Sequence, residues 1–158
     1  MTQSAVKMAR KTNVYILRLV AGKYYVGISQ NPTRRIKDHF AGRGAGWTRT
    51  HKPLSVEAVH NGVDVFDEDM WTKRLMAEKG ILNVRGGYYV RDEIPEPEQK
   101  MIQREIWSAE AVCMRCGRDG HIAAHCQHTR DVNGHIITAW EQCSMCGFWR
   151  DGNFDKLK

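Results

Sequence analysis

The first 112 of the chain's 158 residues contain no cysteine, and Met1 to Lys52 contain a single acid, Asp38. No apolar run approaches the roughly 20 residues needed to span a bilayer, and Met1 to Thr12 is polar and basic with no apolar stretch behind it. These absences exclude a disulfide framework over most of the chain and a membrane-spanning helix. Residues 1–12 are expected to form a flexible arm rather than a signal peptide. Proline is scarce, with four residues in all, and the close pair Pro95 and Pro97 marks a boundary.

What is present is unevenly placed. Met1 to Lys52 hold 11 Lys/Arg, whereas the remainder holds 13 against 17 Asp/Glu, so the net charge of +6 is concentrated in the first third. Such a field fits a polyanion such as nucleic acid, although a solvated basic face is a common alternative. A hydrophobic share of 42% with 27% charged residues is that of a globular chain. The length allows one domain of about 100 residues and a smaller appendage.

Asn13 to Ser29 is rich in β-formers, VYILRLV and then KYYVGIS around Ala21-Gly22, and predicts a hairpin. A three-residue loop, Val20 to Gly22 with Gly22 left-handed, pairs Leu19 with Lys23 and sets Tyr25 opposite Leu17. Tyr15 and Tyr25 then share a face; a two-residue turn would separate them. Asn31-Pro32 predicts a helix start, with the helix running to about Phe40 and burying Ile36 and Phe40. Arg35 and His39, at i and i+4, project from one adjacent strip. The glycine-rich stretch Ala41–Gly46 ends this helix, and Leu54–Val59 reads as a third strand. Asp67, Glu68 and Asp69 open a second helix with Trp71, Leu75 and Met76 facing inward and Gly80 at its end. Asn83–Gly87 reads as irregular, and Glu98–Val112 as a helix leading to the cysteines.

The order Tyr15, Tyr25-Val26-Gly27, Arg35-x-x-x-His39, Glu68 and Asn83 resembles the GIY-YIG nuclease family from about Asn13 to Tyr89. Glu68-Asp69-Met70-Trp71-Thr72-Lys73 matches the family's Glu-x-x-apolar-x-Lys pattern, and Gly44-Ala45-Gly46-Trp47-Thr48 with Pro53 looks like a loop of members that cut branched DNA. Asn13-Val14 and Val26 depart from the family's Gly-Ile and Ile, keeping β-compatible strands and both tyrosines. Singly, the tyrosines are ordinary strand aromatics, the Arg/His pair an ordinary helix face, and the acids an ordinary helix start. As an ordered set they point to a nuclease.

The resemblance implies an α+β fold, a small three-stranded antiparallel sheet flanked by helices. The nuclease domain is expected over residues 13–94, and the residue pattern beyond it predicts a linker helix at 95–112, a zinc-binding module at 113–150 and a tail at 151–158. The resemblance also implies DNA as substrate and Mg²⁺ or Mn²⁺ held by Glu68, a hard oxygen ligand whose cation keeps most of its water. Arg35 would clamp the scissile phosphate with its planar fork. Tyr15 would be the general base, aided by Tyr25 and His39, with Gly27, Lys37 and Asn83 at substrate-binding positions. A phenol serves as base only where neighbouring positive charge favours phenolate, and Arg35, Lys37 and the metal are the candidate cause.

Cys113-x2-Cys116-x4-His121-x4-Cys126 has the spacing of a CCHC zinc knuckle, with Gly117 and Gly120 at the tight turns. Cys143 and Cys146 form a second pair, for which His128 and His135 are available as ligands of a second Zn²⁺. A rival arrangement places Cys113, Cys116, Cys143 and Cys146 on one zinc and leaves His121 and Cys126 over. Cysteine used this way fits a reducing compartment, cytoplasmic or nuclear. Met114 and Ile122 take the apolar positions where other knuckles stack bases, so a purely structural knuckle is as natural as a single-strand binder. Two further functions stand beside DNA cleavage: a nucleic-acid binder whose nuclease fold no longer cuts, and a zinc module that docks a protein.

Overall fold

The computed structural model describes residues 11–137, together with the backbone of Trp140–Gln142 and Trp149–Asp151. The described residues fall into two compact units divided between Ile102 and Gln103. None of the described helices is long and apolar enough to cross a membrane.

The first unit is built on β1 (Thr12–Leu19), β2 (Tyr24–Ser29), β3 (Pro53–Val63) and β4 (Val84–Gly86), with α1 (Pro32–Phe40), the short α2 (Gly46–Thr50) and α3 (Asp67–Lys79). The sheet order is β3-β1-β2-β4. The strand count corrects the sequence reading, which has three antiparallel strands and an irregular Asn83–Gly87. Val84–Gly86 is instead a fourth strand, parallel to β2 and pairing Tyr24 with Val84 and Val26 with Gly86. Three residues ending in paired glycines carry no alternation, so only the neighbouring strand reveals them. The short helix Gly46–Thr50 also falls inside what reads as a glycine-rich loop, and β3 extends beyond the expected Leu54–Val59.

β1 lies between β2 and β3, and Val14, Tyr15, Ile16 and Leu17 are all buried. A strand covered on both faces needs apolar residues at consecutive positions, which is why VYIL shows no polar alternation. On one face Tyr15, Leu17, Leu19, Tyr25 and Trp47 form a cluster against Ile36 and Ala45. α1 touches β1, β2 and β3, and α3 touches β1, β2 and β4.

The β1–β2 turn has the expected register: Leu17 faces Tyr25, and the Leu19 N–H donates to the Lys23 carbonyl at 2.7 Å. Gly22 is left-handed at φ 67°, but so is Ala21 at φ 57°, a conformation that costs a residue bearing a Cβ about 1 kcal/mol or more. The Asn31 carboxamide oxygen accepts from Arg34 N–H at 3.0 Å and caps α1, with Pro32 in its first turn. The expected Ile36/Phe40 stripe is corrected: Ile36 is half-buried, Phe40 is 48% exposed, and the fully buried side chain of α1 is His39. α3 ends where Gly80 turns left-handed at φ 90°; Leu75 and Met76 are buried, and Trp71 stacks on His60 with ring centroids 3.9 Å apart.

Arg85 of β4 is 2% exposed. Its guanidinium donates to the carbonyls of Arg91, Ile81, Val84 and Asp92 and lies 4.3 Å over the Trp47 ring. A buried cation is tolerated when its donors are satisfied in this way, and the Arg85 fork ties β4 to the chain that follows it. Beyond β4, α4 (Glu96–Ala109) runs from the first unit into the second. The second unit holds the cysteine cluster and the antiparallel pair β5 (Trp140–Gln142) and β6 (Trp149–Asp151).

Candidate active site

β1, β2 and α1 bring three of the five expected side chains into contact. The Tyr15 phenol oxygen lies 2.9 Å from His39 Nε2, and the Tyr25 ring lies 4.8 Å from the His39 ring and 6.4 Å from that of Tyr15. The hairpin register puts both tyrosines on the α1 face, and one helical turn places Arg35 and His39 above them. Arg35, one helical turn before His39, acts by its charge on Tyr15, Tyr25 and His39. Glu68 stands in the first turn of α3, where the backbone amides of Gly87 and Ile28 favour its ionised form, and its charge is felt by both phenols. Tyr15, Tyr25 and His39 are thus in contact, and the charges of Arg35 and Glu68 reach them.

Gly27 faces Tyr15 across the β1–β2 ladder. A Cβ on Gly27 would lie 2.3 Å from the Tyr15 oxygen, so the missing side chain makes the space in which the phenol sits. Lys37 is exposed on α1 and is not among the groups acting on the phenols. Asn83 accepts from Lys23 Nζ at 2.9 Å and donates to the Lys79 carbonyl at 2.6 Å, which ties the end of α3 to the residue before β2.

Burial, the larger effect, pushes the Tyr15 phenol well above its ordinary value; Tyr25 adds to the rise, and Arg35 offsets part of it. This is opposite to the direction expected from Arg35 and Lys37, because a phenolate in the strand core loses its water while only one of the two cations reaches it. Tyr25 is raised by burial and by Glu68. Burial and Arg35 lower His39 to about 4, so the imidazole is neutral at pH 7. Burial raises Glu68 as well, offset by the Gly87 and Ile28 N–H groups. A carboxylate desolvated beside two phenols and a guanidinium is a fitting oxygen donor for a hard divalent cation, whose charge would offset that desolvation.

Two residues that the sequence reading places only in the loop likened to that of members cutting branched DNA, Thr48 and Gly44, complete the cluster. Thr48 Oγ1 lies 2.8 Å from His39 Nδ1 and donates to the Ala45 carbonyl at 2.9 Å. A Cβ on Gly44 would fall 2.1 Å from His39 Nδ1 and 2.7 Å from Thr48 Oγ1. Their signal in the sequence is the Gly44-x-x-x-Thr48 spacing directly after the helix that carries His39.

In the second unit, one ligand atom from each of Cys113, Cys116, His121 and Cys126 lies within 4.8 Å of the others. The three cysteines are buried, and Cys116 Sγ lies 3.3 Å from His121 Nε2. His121 Nδ1 faces the Asp119 carbonyl at 3.3 Å, an arrangement that leaves Nε2 free as a metal ligand. Burial pushes the Cys116 thiol up, but the Arg118 backbone N–H and the Cys113 and Cys126 thiols outweigh it and bring it down to about 7, toward the thiolate that zinc requires. Three sulfurs and one imidazole at these separations fit a closed tetrahedral Zn²⁺ site. His121 and Cys126, which the rival arrangement leaves over, are both in the cluster. His128 lies beside His121 with ring centroids 5.3 Å apart, and His135 Nδ1 is 3.2 Å from Asp131. Cys143 and Cys146 lie outside the described residues, and the second zinc site with them.

Residues 11–83 match the family model of the GIY-YIG catalytic domain. A UPF0213 protein of Neisseria gonorrhoeae is 35% identical over 72 residues, covering 44% of this chain and 79% of the relative. A UPF0213 protein of Cupriavidus pinatubonensis is 33% identical over 75 residues, 46% of this chain and 83% of the relative, and one of Xanthomonas campestris is 42% identical over 48 residues, 30% and 47%. No solved structure matches the chain significantly. With residues 11–83 matched to the catalytic-domain model and the Neisseria and Cupriavidus relatives covered over 79% and 83% of their length, the chain belongs to the GIY-YIG family.

Proposed function

We propose that this chain is a metal-dependent endonuclease that hydrolyses DNA phosphodiester bonds, with branched or nicked DNA as its preferred substrate. The observation that carries the reading is the convergence of Tyr15, Tyr25, Arg35 and His39 with the half-buried Glu68 carboxylate. Phosphodiester hydrolysis needs a base for water, a fixed positive charge for the transition-state oxyanion and a polarising cation. Tyr15 faces the attacking water as its base, with Tyr25 and His39 orienting it. Arg35, with its planar guanidinium fork, binds the non-bridging phosphate oxygens. Mg²⁺ or Mn²⁺ held by Glu68 supplies Lewis-acid polarisation of the phosphate.

The Gly44–Thr48 segment, the Lys/Arg-rich first third and a Zn²⁺ on Cys113, Cys116, His121 and Cys126 support a role in positioning a branched duplex. Three ligand thiols fit a reducing compartment, the cytoplasm or nucleus.

A second reading, a nucleic-acid binder that does not cut, draws support from the direction of the Tyr15 phenol, which the protein's own groups hold protonated. One panel separates the two: wild type and Glu68→Ala assayed on duplex, nicked, flap, junction and single-stranded DNA with Mg²⁺. Cleavage by wild type alone supports the enzyme. Tight, salt-sensitive binding without products on every substrate supports the binder. Truncation before Cys113 tests a docking role for the module: loss of a protein partner with unchanged DNA affinity supports it.

A further inference from the structure

We propose that Thr48 is a positioning residue that locks His39 in the Nδ1–H tautomer, so that Nε2 is the acceptor for the phenolic proton of Tyr15. The proposal rests on the nuclease reading for its catalytic meaning, but its structural content stands on hydrogen-bond donors and acceptors alone.

A hydroxyl has one proton to give. Thr48 Oγ1 donates its proton to the Ala45 carbonyl at 2.9 Å, so toward His39, 2.8 Å away, it can only accept. Nδ1 must therefore carry the ring proton. His39 is 1% exposed, and a neutral imidazole with Nδ1 protonated presents a lone pair at Nε2. The atom 2.9 Å from that lone pair is the Tyr15 oxygen, which must donate. The result is a directed chain: Tyr15 O–H to His39 Nε2, His39 Nδ1–H to Thr48 Oγ1, Thr48 O–H to the Ala45 carbonyl.

The groups facing His39 agree with this polarity. Tyr15 from β1 and Tyr25 from β2 lie on one side; Arg35 and Asp38 from α1 act on the ring by charge, with Arg35 opposing protonation; Thr48 of α2 closes the Nδ1 side. Gly44 has no side chain where a Cβ would strike Nδ1 and Oγ1 together, so the loop reaches the very atoms it orients.

The consequence for catalysis is that Tyr15 need not begin as phenolate. As water adds to phosphorus, its proton passes to the Tyr15 oxygen while the phenol's original proton passes to His39 Nε2. Tyr15 ends as it began, and His39 becomes imidazolium, still donating from Nδ1 to Thr48. The ester P–O bond breaks, the leaving oxygen takes a proton from solvent, and His39 returns its own to solvent, so protons balance over the cycle. Were Nε2 protonated instead, it would donate to Tyr15 and could not take the phenolic proton.

The test uses the full-length, zinc-loaded chain labelled with ¹⁵N. Long-range ¹H–¹⁵N correlation at pH 7 reads each ring nitrogen of His39, with Thr48→Val and Thr48→Ser as variants. The expected result is a protonated Nδ1 and an unprotonated Nε2 in wild type and Thr48→Ser, with the Nε2–H tautomer appearing in Thr48→Val. In the Mg²⁺ cleavage assay, Thr48→Val lowers kcat by about 100-fold with KM little changed, and Thr48→Ser restores most of it. An Nε2–H tautomer in wild type, or an unchanged tautomer in Thr48→Val, overturns the proposal whatever the cleavage assay gives. The expected tautomers in a wild-type protein that cuts no DNA support the hydrogen-bond chain and overturn the nuclease reading instead.

Discussion

The phenol oxygen of Tyr15 and Nε2 of His39 stand 2.9 Å apart although 24 residues separate them, one in the central strand and the other on the first helix. Both side chains are almost completely buried, so their hydrogen bond forms where an unpaired polar group costs about 1–3 kcal/mol. Burial drives the two groups in opposite directions, phenol up and imidazole down, and the pair is held neutral as a donor and an acceptor.

Replacing Tyr15 by Phe removes the proposed base and replacing Glu68 by Ala removes the proposed metal ligand. Each is expected to lower the Mg²⁺-dependent nicking rate by about 10²–10⁴-fold, the usual range for such groups. Gel-based nicking of a branched substrate at saturating Mg²⁺ checks both, and wild-type rates in either variant remove that residue from the site.

Gly27→Ala is expected to damage the site directly. Its Cβ would lie 2.3 Å from the Tyr15 oxygen, and with β1 buried on both faces the phenol cannot retreat without leaving His39. Overpacking of this kind costs about 1–3 kcal/mol. Urea unfolding measures that loss, and the accompanying fall in nicking should exceed that of a β-strand substitution far from Tyr15.

His39 makes stability depend on acid. Its folded value, about 4, lies below the ordinary 6.5, so its contribution is fully present above pH 6.5. It is lost progressively as pH falls toward 4, where the unfolded chain gains a proton that the folded one refuses. The whole difference is on the order of 3 kcal/mol. Unfolding free energies of wild type and His39→Gln between pH 7 and pH 4.5 check this, since both share any acid effect on the zinc ligands. Parallel curves would show that His39 is not the titrating group.

Chelation of zinc, or Cys116→Ser, is expected to unfold the region around Cys113–Cys126, whose buried residues are largely the ligands themselves. Elemental analysis should give at least one zinc per chain. A two-dimensional NMR spectrum should keep dispersed signals for residues 11–102 after metal removal. Retention of the structure of residues 113–126 without metal would count against a zinc role.

Much of the site was legible because its spacing is local. Arg35-x-x-x-His39 becomes one helix face by geometry alone, and a three-residue turn at Val20–Gly22 decides that Tyr15 and Tyr25 share a side. The cysteine–histidine cluster is read from spacing in the same way, since all four ligands lie within 14 residues. Phe40 was misread because amphipathic counting treats histidine as polar and outward. Here His39 occupies the buried position, paid for by hydrogen bonds at both nitrogens. Arg85 was missed for a related reason: nothing in the sequence tells that a cation will find four carbonyls and a tryptophan face inside the fold.

By itself the sequence determined the hairpin, the capped helix that follows it, the acidic start of α3 and the spacing of the cysteine–histidine cluster, because each depends on residues close along the chain. Only the tertiary structure decided the parallel pairing of β4, the burial of His39 and Arg85, the direction in which Tyr15 titrates, and the Thr48 hydroxyl behind the imidazole. These depend on desolvation and on partners brought together across the sheet, and neither quantity is defined until the chain has folded.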